Sequence, residues 1–113
     1  MPMMIGFAQQ RRAMLEAELV RLVEELPSLG VQQLYVSGAL GRQDVRVDSP
    51  LEVVVVHATA EPFHRRADFL VDHLRPRVHT EFLVYTPEEF EALADVDPVL
   101  IRAIALAEPA YAS

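Results

Sequence analysis

Arginines and carboxylates supply most of the side chains in this sequence that could do chemistry. All ten basic residues are arginine, and the chain contains neither lysine nor cysteine. Lysine phosphate grips and Schiff bases are excluded, as are disulfides, zinc–thiolate sites and thiol nucleophiles. Arginine retains the ability to hold a phosphate through two parallel N–H donors. Gly38 and Gly41 bracket a candidate phosphate-receiving turn, and Arg42 and Arg46 follow it closely. A strand-to-helix junction needs glycine for backbone reasons alone, and surface arginines are often simply solvated, so both readings stay open. His57, His64, His73 and His79 lack the tight spacing of a helical metal pair, which argues against zinc. Arg65, Arg66, Arg75 and Arg77 make either a small basic patch or a set of partners for the chain's own carboxylates.

Composition narrows the classes further. The chain has 113 residues, a hydrophobic fraction of 51% and a net charge of -7. That length and apolar content predict one domain over residues 1–113 with a modest core, the termini 1–6 and 108–113 fraying. The negative balance argues against general binding to nucleic-acid backbone. No stretch approaches the roughly 18 uninterrupted apolar residues of a membrane span, and the residues Met1 to Phe7 lack the pattern of a secretory leader. The expectation is a cytoplasmic protein that does not contact a membrane, and the lack of cysteine fits a reducing compartment.

The elements that must position these residues follow from periodicity. Met14, Leu15, Leu19, Leu22, Val23 and Leu26 recur at helical steps between Phe7 and Leu26, and Pro27 and Gly30 stop that helix. Val31 to Ser37 reads as a short strand. Leu51 to His57 contains four consecutive valines, the pattern of a central strand buried on both faces. A helix from Pro62 to Leu74 carries Phe63, Phe69, Leu70 and Leu74, and an alternating strand runs from Val78 to Tyr85. Thr86-Pro87-Glu88-Glu89 has the form of a capping box, and Asp97-Pro98 opens a last helix through Ile101, Ile104 and Ala105. The order is helix, strand, strand, helix, strand, helix, helix.

The stretch YVSGALGRQDVRVDSPLEVVVV, from Tyr35 to Val56, resembles the signature region of the minimal nucleotidyltransferases. There a strand ends in Gly-Ser, a short helix follows, and a second strand opens with Asp-Ser-Asp-Ile-Asp. With Gly38 on the family glycine, Asp48-Ser49-Pro50-Leu51-Glu52 falls on that pentad without a gap. HTEFLVYTPEEFEAL resembles the strand that carries the family's third carboxylate and the helix after it, and DPVLIRAI resembles the closing helix. The resemblance covers the chain from about Val31 to about Tyr111.

It implies an α/β (α+β) fold, a small mixed sheet of three to four strands with flanking helices. It also implies metal-assisted transfer from a nucleoside triphosphate, with carboxylates holding magnesium. Here the motif is altered. Pro50 stands at the first aspartate position and offers no ligand; Glu52 and Glu81 fall on the second and third, each a methylene longer than aspartate. Asp48 is a further candidate ligand on the preceding loop. Ala39 occupies the phosphate-binding serine position, with Ser37 on the other side of Gly38 and Arg42 nearby. The expectation is a catalytically degenerate nucleotidyltransferase-like protein that acts by binding, antitoxin-like or regulatory, either to a HEPN-type helical protein or to itself. One alternative keeps magnesium on Glu52 and Glu81 in a working transferase. The other is a metal-free nucleotide-binding module that uses Ser37, Gly38, Ala39 and Arg42.

Overall fold

The computed structural model describes residues 2–106 and 108–113. The first helix, α1 (Pro2–Glu25), is followed by a 3-10 turn at Leu26–Leu29 and by strand β1 (Gln33–Ser37). A single helical turn, α2 (Gly38–Gly41), precedes strand β2 (Leu51–Val56). Then come a 3-10 turn at Phe63–Arg65, α3 (Arg66–Leu74), β3 (Thr80–Tyr85), α4 (Pro87–Leu93), α5 (Pro98–Leu106) and β4 (Tyr111–Ala112). The strands form one mixed sheet in the order β3-β2-β1-β4, with β1 antiparallel to both β2 and β4 and β2 parallel to β3. This is the α+β arrangement, a small mixed sheet with flanking helices, that the sequence predicts.

β2 is the central strand because both of its faces are apolar. Leu51, Val53 and Val55 point into one core with Leu15, Leu22 and Leu26 of the first helical segment, Leu70 and Leu74 of α3, and Phe82 and Val84 of β3. Val54 points the other way, into a second core with Tyr35, Tyr85, Leu100 and Ala103, against which Phe90 and Leu93 pack. The sheet thus lies between α1 and α3 on one side and α4 and α5 on the other, a layered solution that leaves no face of β2 wet.

Charged side chains fasten the helices. Glu18 lies within the buried stripe of α1, where its carboxylate accepts from the Arg21 guanidinium at 2.8 and 2.9 Å and from the Arg77 backbone N–H at 2.7 Å. Arg21 also donates to the Leu74 carbonyl at 2.9 Å, tying α1 to the end of α3. The capping box at α4 is present: Glu89 N–H donates to Thr86 Oγ1 at 3.2 Å and Thr86 N–H donates to Glu89 Oε1 at 3.0 Å. Arg66 pairs with both carboxylate oxygens of that Glu89 and also donates to the Val84 carbonyl at 3.2 Å, joining α3, β3 and α4. This arginine, at least, answers an intramolecular carboxylate.

The ends depart from expectation. Helix α1 starts at Pro2 rather than Phe7, since proline suits a first helical position and the residues after it tolerate helix; Met1 lies outside the described residues. The C-terminal residues, expected to fray, instead pair with β1: Ala110 N–H donates to the Leu34 carbonyl and Ser113 N–H to the Gln32 carbonyl, each at 2.8 Å. Their small residues carry no alternation of their own, and it is the open edge of β1 that orders them. No helix among the described residues is long and apolar enough to cross a membrane.

The Arg66 guanidinium, with help from the Thr86 N–H, holds the Glu89 carboxyl down at about 2 from an ordinary 4.5. A depressed carboxyl stabilises the fold above its unfolded value, and the gain disappears as pH falls from 4.5 toward 2. Because Glu89 is 39% exposed, solvent screens the pair, and Glu89→Gln is expected to cost only about 1 kcal/mol at neutral pH. Urea unfolding of both proteins at neutral and acidic pH checks this: the gap between them should narrow as the medium is acidified through that window.

Candidate functional site

The register of the sheet sets Ser37, Glu52 and Glu81 side by side on β1, β2 and β3. They share the sheet face that α5 covers, near the end of β1 and the start of β2. Beside Ser37 and Glu52, between α2 and α5, opens a cleft of about 210 Å³ lined by Ser37, Gly38, Arg42 and Glu52 and by Arg102 of α5. Its apolar wall is made by Leu83, Val99, Ala103 and Leu106.

The strand-to-helix junction is built around Gly38. Its φ is +63°, and a Cβ there would overlap the Glu52 carboxylate and lie 2.8 Å from Glu52 Cβ. Glycine is therefore required twice over, once by the backbone and once by the glutamate laid across it. The loop between α2 and β2 is held in place by Arg11, whose Nε donates to the Ser49 carbonyl at 2.8 Å, while Ser49 Oγ accepts from the Arg46 N–H at 2.8 Å. Ser49 is itself buried, so the start of β2 is anchored to α1 just before Glu52. The peptide at Pro50 is trans, as is every described peptide.

Of the residues singled out from the sequence, Ser37, Gly38, Arg42 and Glu52 meet in the cleft. Glu81 is exposed and sits beside Glu52 in register without lining the cleft. Ala39 is buried and does not line it either. Asp48 lies in a separate hollow with Ala8, Val45, Arg46 and Val47. Arg102 was not singled out from the sequence; the one available signal was a lone charged residue inside the otherwise apolar PVLIRAIAL.

Two ions need a ligand that bridges them and further carboxylates around it. Among the described residues, no three of His, Cys, Asp and Glu come close enough to share an ion. Pro50 offers no side-chain ligand and Asp48 lies elsewhere, so the residues present do not fit a two-ion centre. Glu52 and Glu81 are the carboxylates left for a single magnesium, which would take most of its oxygens from substrate and water. The cleft brings two exposed arginines, Arg42 and Arg102, to the walls that Glu52 also lines. Among the described residues, no ion pair joins Arg42 or Arg102 to a carboxylate. Guanidinium groups in such a cleft can take up an anion with planar, two-point geometry.

Gly38→Ala is expected to destabilise the fold by about 2 kcal/mol, the sum of a strained φ and the overlap with Glu52. Adding Glu52→Ala should recover only the overlap, leaving the backbone share, so the two substitutions couple in a double-mutant cycle read by urea unfolding. Simple additivity would contradict the close approach.

In comparisons with known proteins, no family model, no curated protein and no solved structure matches this chain.

Proposed function

We propose that this is a nucleotidyltransferase-like protein that works by binding, and that its cleft holds a nucleoside phosphate without transferring it. The observation that carries the reading is the convergence of Arg42 and Arg102, neither joined to a carboxylate, on one cleft with Ser37 and an apolar wall. Phosphate oxygens satisfy the guanidinium groups, and Leu83, Val99, Ala103 and Leu106 offer the apolar surface a base requires. The altered acidic motif, with Pro50 where the family's first aspartate stands, supports binding over transfer.

A second reading rests on a separate observation. Val96, Ile101 and Ile104 are exposed, and α5 has a single polar residue, Arg102. A helix apolar on nearly every side is usually covered by something. This favours a protein contact at α5, with a HEPN-type helical partner or a second copy of the chain. Sedimentation of the wild type and of Ile104→Glu tests the second copy: a dimer that the substitution dissociates supports it, and a monomer in both rules it out.

The leading reading is tested by calorimetric titration of nucleoside mono-, di- and triphosphates in the presence of a chelator. Binding should persist without divalent ions. Arg42→Gln and Arg102→Gln should each weaken it by about 2 kcal/mol, the worth of a charged hydrogen bond, or roughly 30-fold. Affinity that appears only with magnesium and vanishes in Glu52→Ala would reinstate the transferase.

A further inference from the structure

The cleft that gathers arginines also contains an acid, and the two chemistries do not cancel. Glu52 is half-buried at the start of β2, and no ion pair among the described residues joins it to Arg42 or Arg102 although all three line the same walls. Its side chain lies across Gly38, a residue whose missing Cβ makes room for it. An ionised carboxylate only accepts hydrogen bonds, and a guanidinium only donates them. A ligand that touches both must therefore present acceptors at one end and donors at the other. Inorganic phosphate or pyrophosphate satisfies the arginines but meets repulsion from Glu52 at short range.

We infer that the cleft selects a ribonucleotide, with its phosphate between Arg42 and Arg102 and its vicinal sugar hydroxyls donating to Glu52. The inference rests on the reading that the cleft binds nucleoside phosphates, and it assigns Glu52 a new part as the residue that distinguishes ribose. A carboxylate accepts from two neighbouring hydroxyls at once, one on each oxygen, whereas a sugar lacking them leaves a half-buried charge without donors. Size agrees. At about 210 Å³ the cleft falls below the roughly 300–1,000 Å³ of pockets that enclose whole drug-sized ligands. It suits a phosphate and a sugar, with the base resting on the apolar wall at the mouth.

The test titrates adenosine monophosphate, its 2′,3′-dideoxy analogue and inorganic pyrophosphate into the wild type and into Glu52→Gln, in chelator throughout. The wild type is expected to prefer the ribonucleotide over the dideoxy analogue by about tenfold, the loss expected when a charged acceptor is left unpaired. Glu52→Gln should erase most of that preference and bind pyrophosphate several-fold more tightly, since the repelling charge is gone. Equal affinity of the wild type for both nucleotides overturns the inference while leaving the binding reading intact. Weaker pyrophosphate binding in Glu52→Gln also overturns it, because it would make the carboxylate a help rather than a hindrance to an anion. Failure of every nucleotide to bind the wild type overturns the binding reading itself. The comparison of the two nucleotides on the wild type needs no variant, so it stands even if Glu52→Gln folds poorly.

Discussion

Burial of β2 on both faces is the constraint on which the remaining structure depends. A strand whose Leu51, Val53, Val54 and Val55 are wholly buried must lie between other strands and under two layers of helix. That requirement places β1 and β3 on either side of it and sends α1 and α3 to one face and α4 and α5 to the other. It also sets the register, because a slip of one residue would exchange the valines of the two cores and carry Glu52 into the α1 side. The row Ser37, Glu52, Glu81 is a by-product of that packing.

The cleft sits where this order stops. At the start of β2 the apolar run gives way to Glu52, and at the end of β1 the chain turns through Gly38 into a single turn of helix. A side chain at Gly38 would displace the glutamate, so the junction and the acid are one unit. Around it the molecule is fastened by a few charged contacts. Glu18 and Arg21 tie α1 to α3, Arg66 and Glu89 tie α3 to β3 and α4, and Arg11 holds the loop that delivers β2. Arg66 is nearly excluded from solvent and Glu18 almost wholly so, and a buried charge without its partner is costly; these residues specify how the helices sit as much as they stabilise them.

Pro50 offers no side-chain ligand, Asp48 belongs to a different hollow and Glu81 is exposed one strand from Glu52, so the carboxylates of this region are not gathered around one point. The fold rests on its two apolar cores and the glycine junction on the fit of Glu52 across Gly38, and neither depends on a metal. The cleft brings Ser37, Gly38, Arg42, Glu52 and Arg102 to shared walls, and no third carboxylate or histidine joins Glu52 among the described residues.

By itself the sequence determined the kinds of element, their order and several of their ends. Four consecutive valines marked the central strand, Thr86 and Glu89 marked the start of α4, and Asp97 with Pro98 marked α5, where Asp97 Oδ1 accepts from the Val99 N–H at 2.9 Å. These signals are legible because periodicity and capping act over a few residues. The sequence also pointed to Ser37, Gly38, Arg42 and Glu52, which are joined by one junction and one strand pair. Only the tertiary structure decided that Arg102 lines the same cleft as Arg42, that Asp48 lies in another hollow, that Glu18 is buried and paired, and that Tyr111–Ala112 joins the sheet. Each of those facts depends on which surfaces meet after the layers pack, and distance in space between residues so far apart along the chain is fixed by strand order and helix placement rather than by any local pattern.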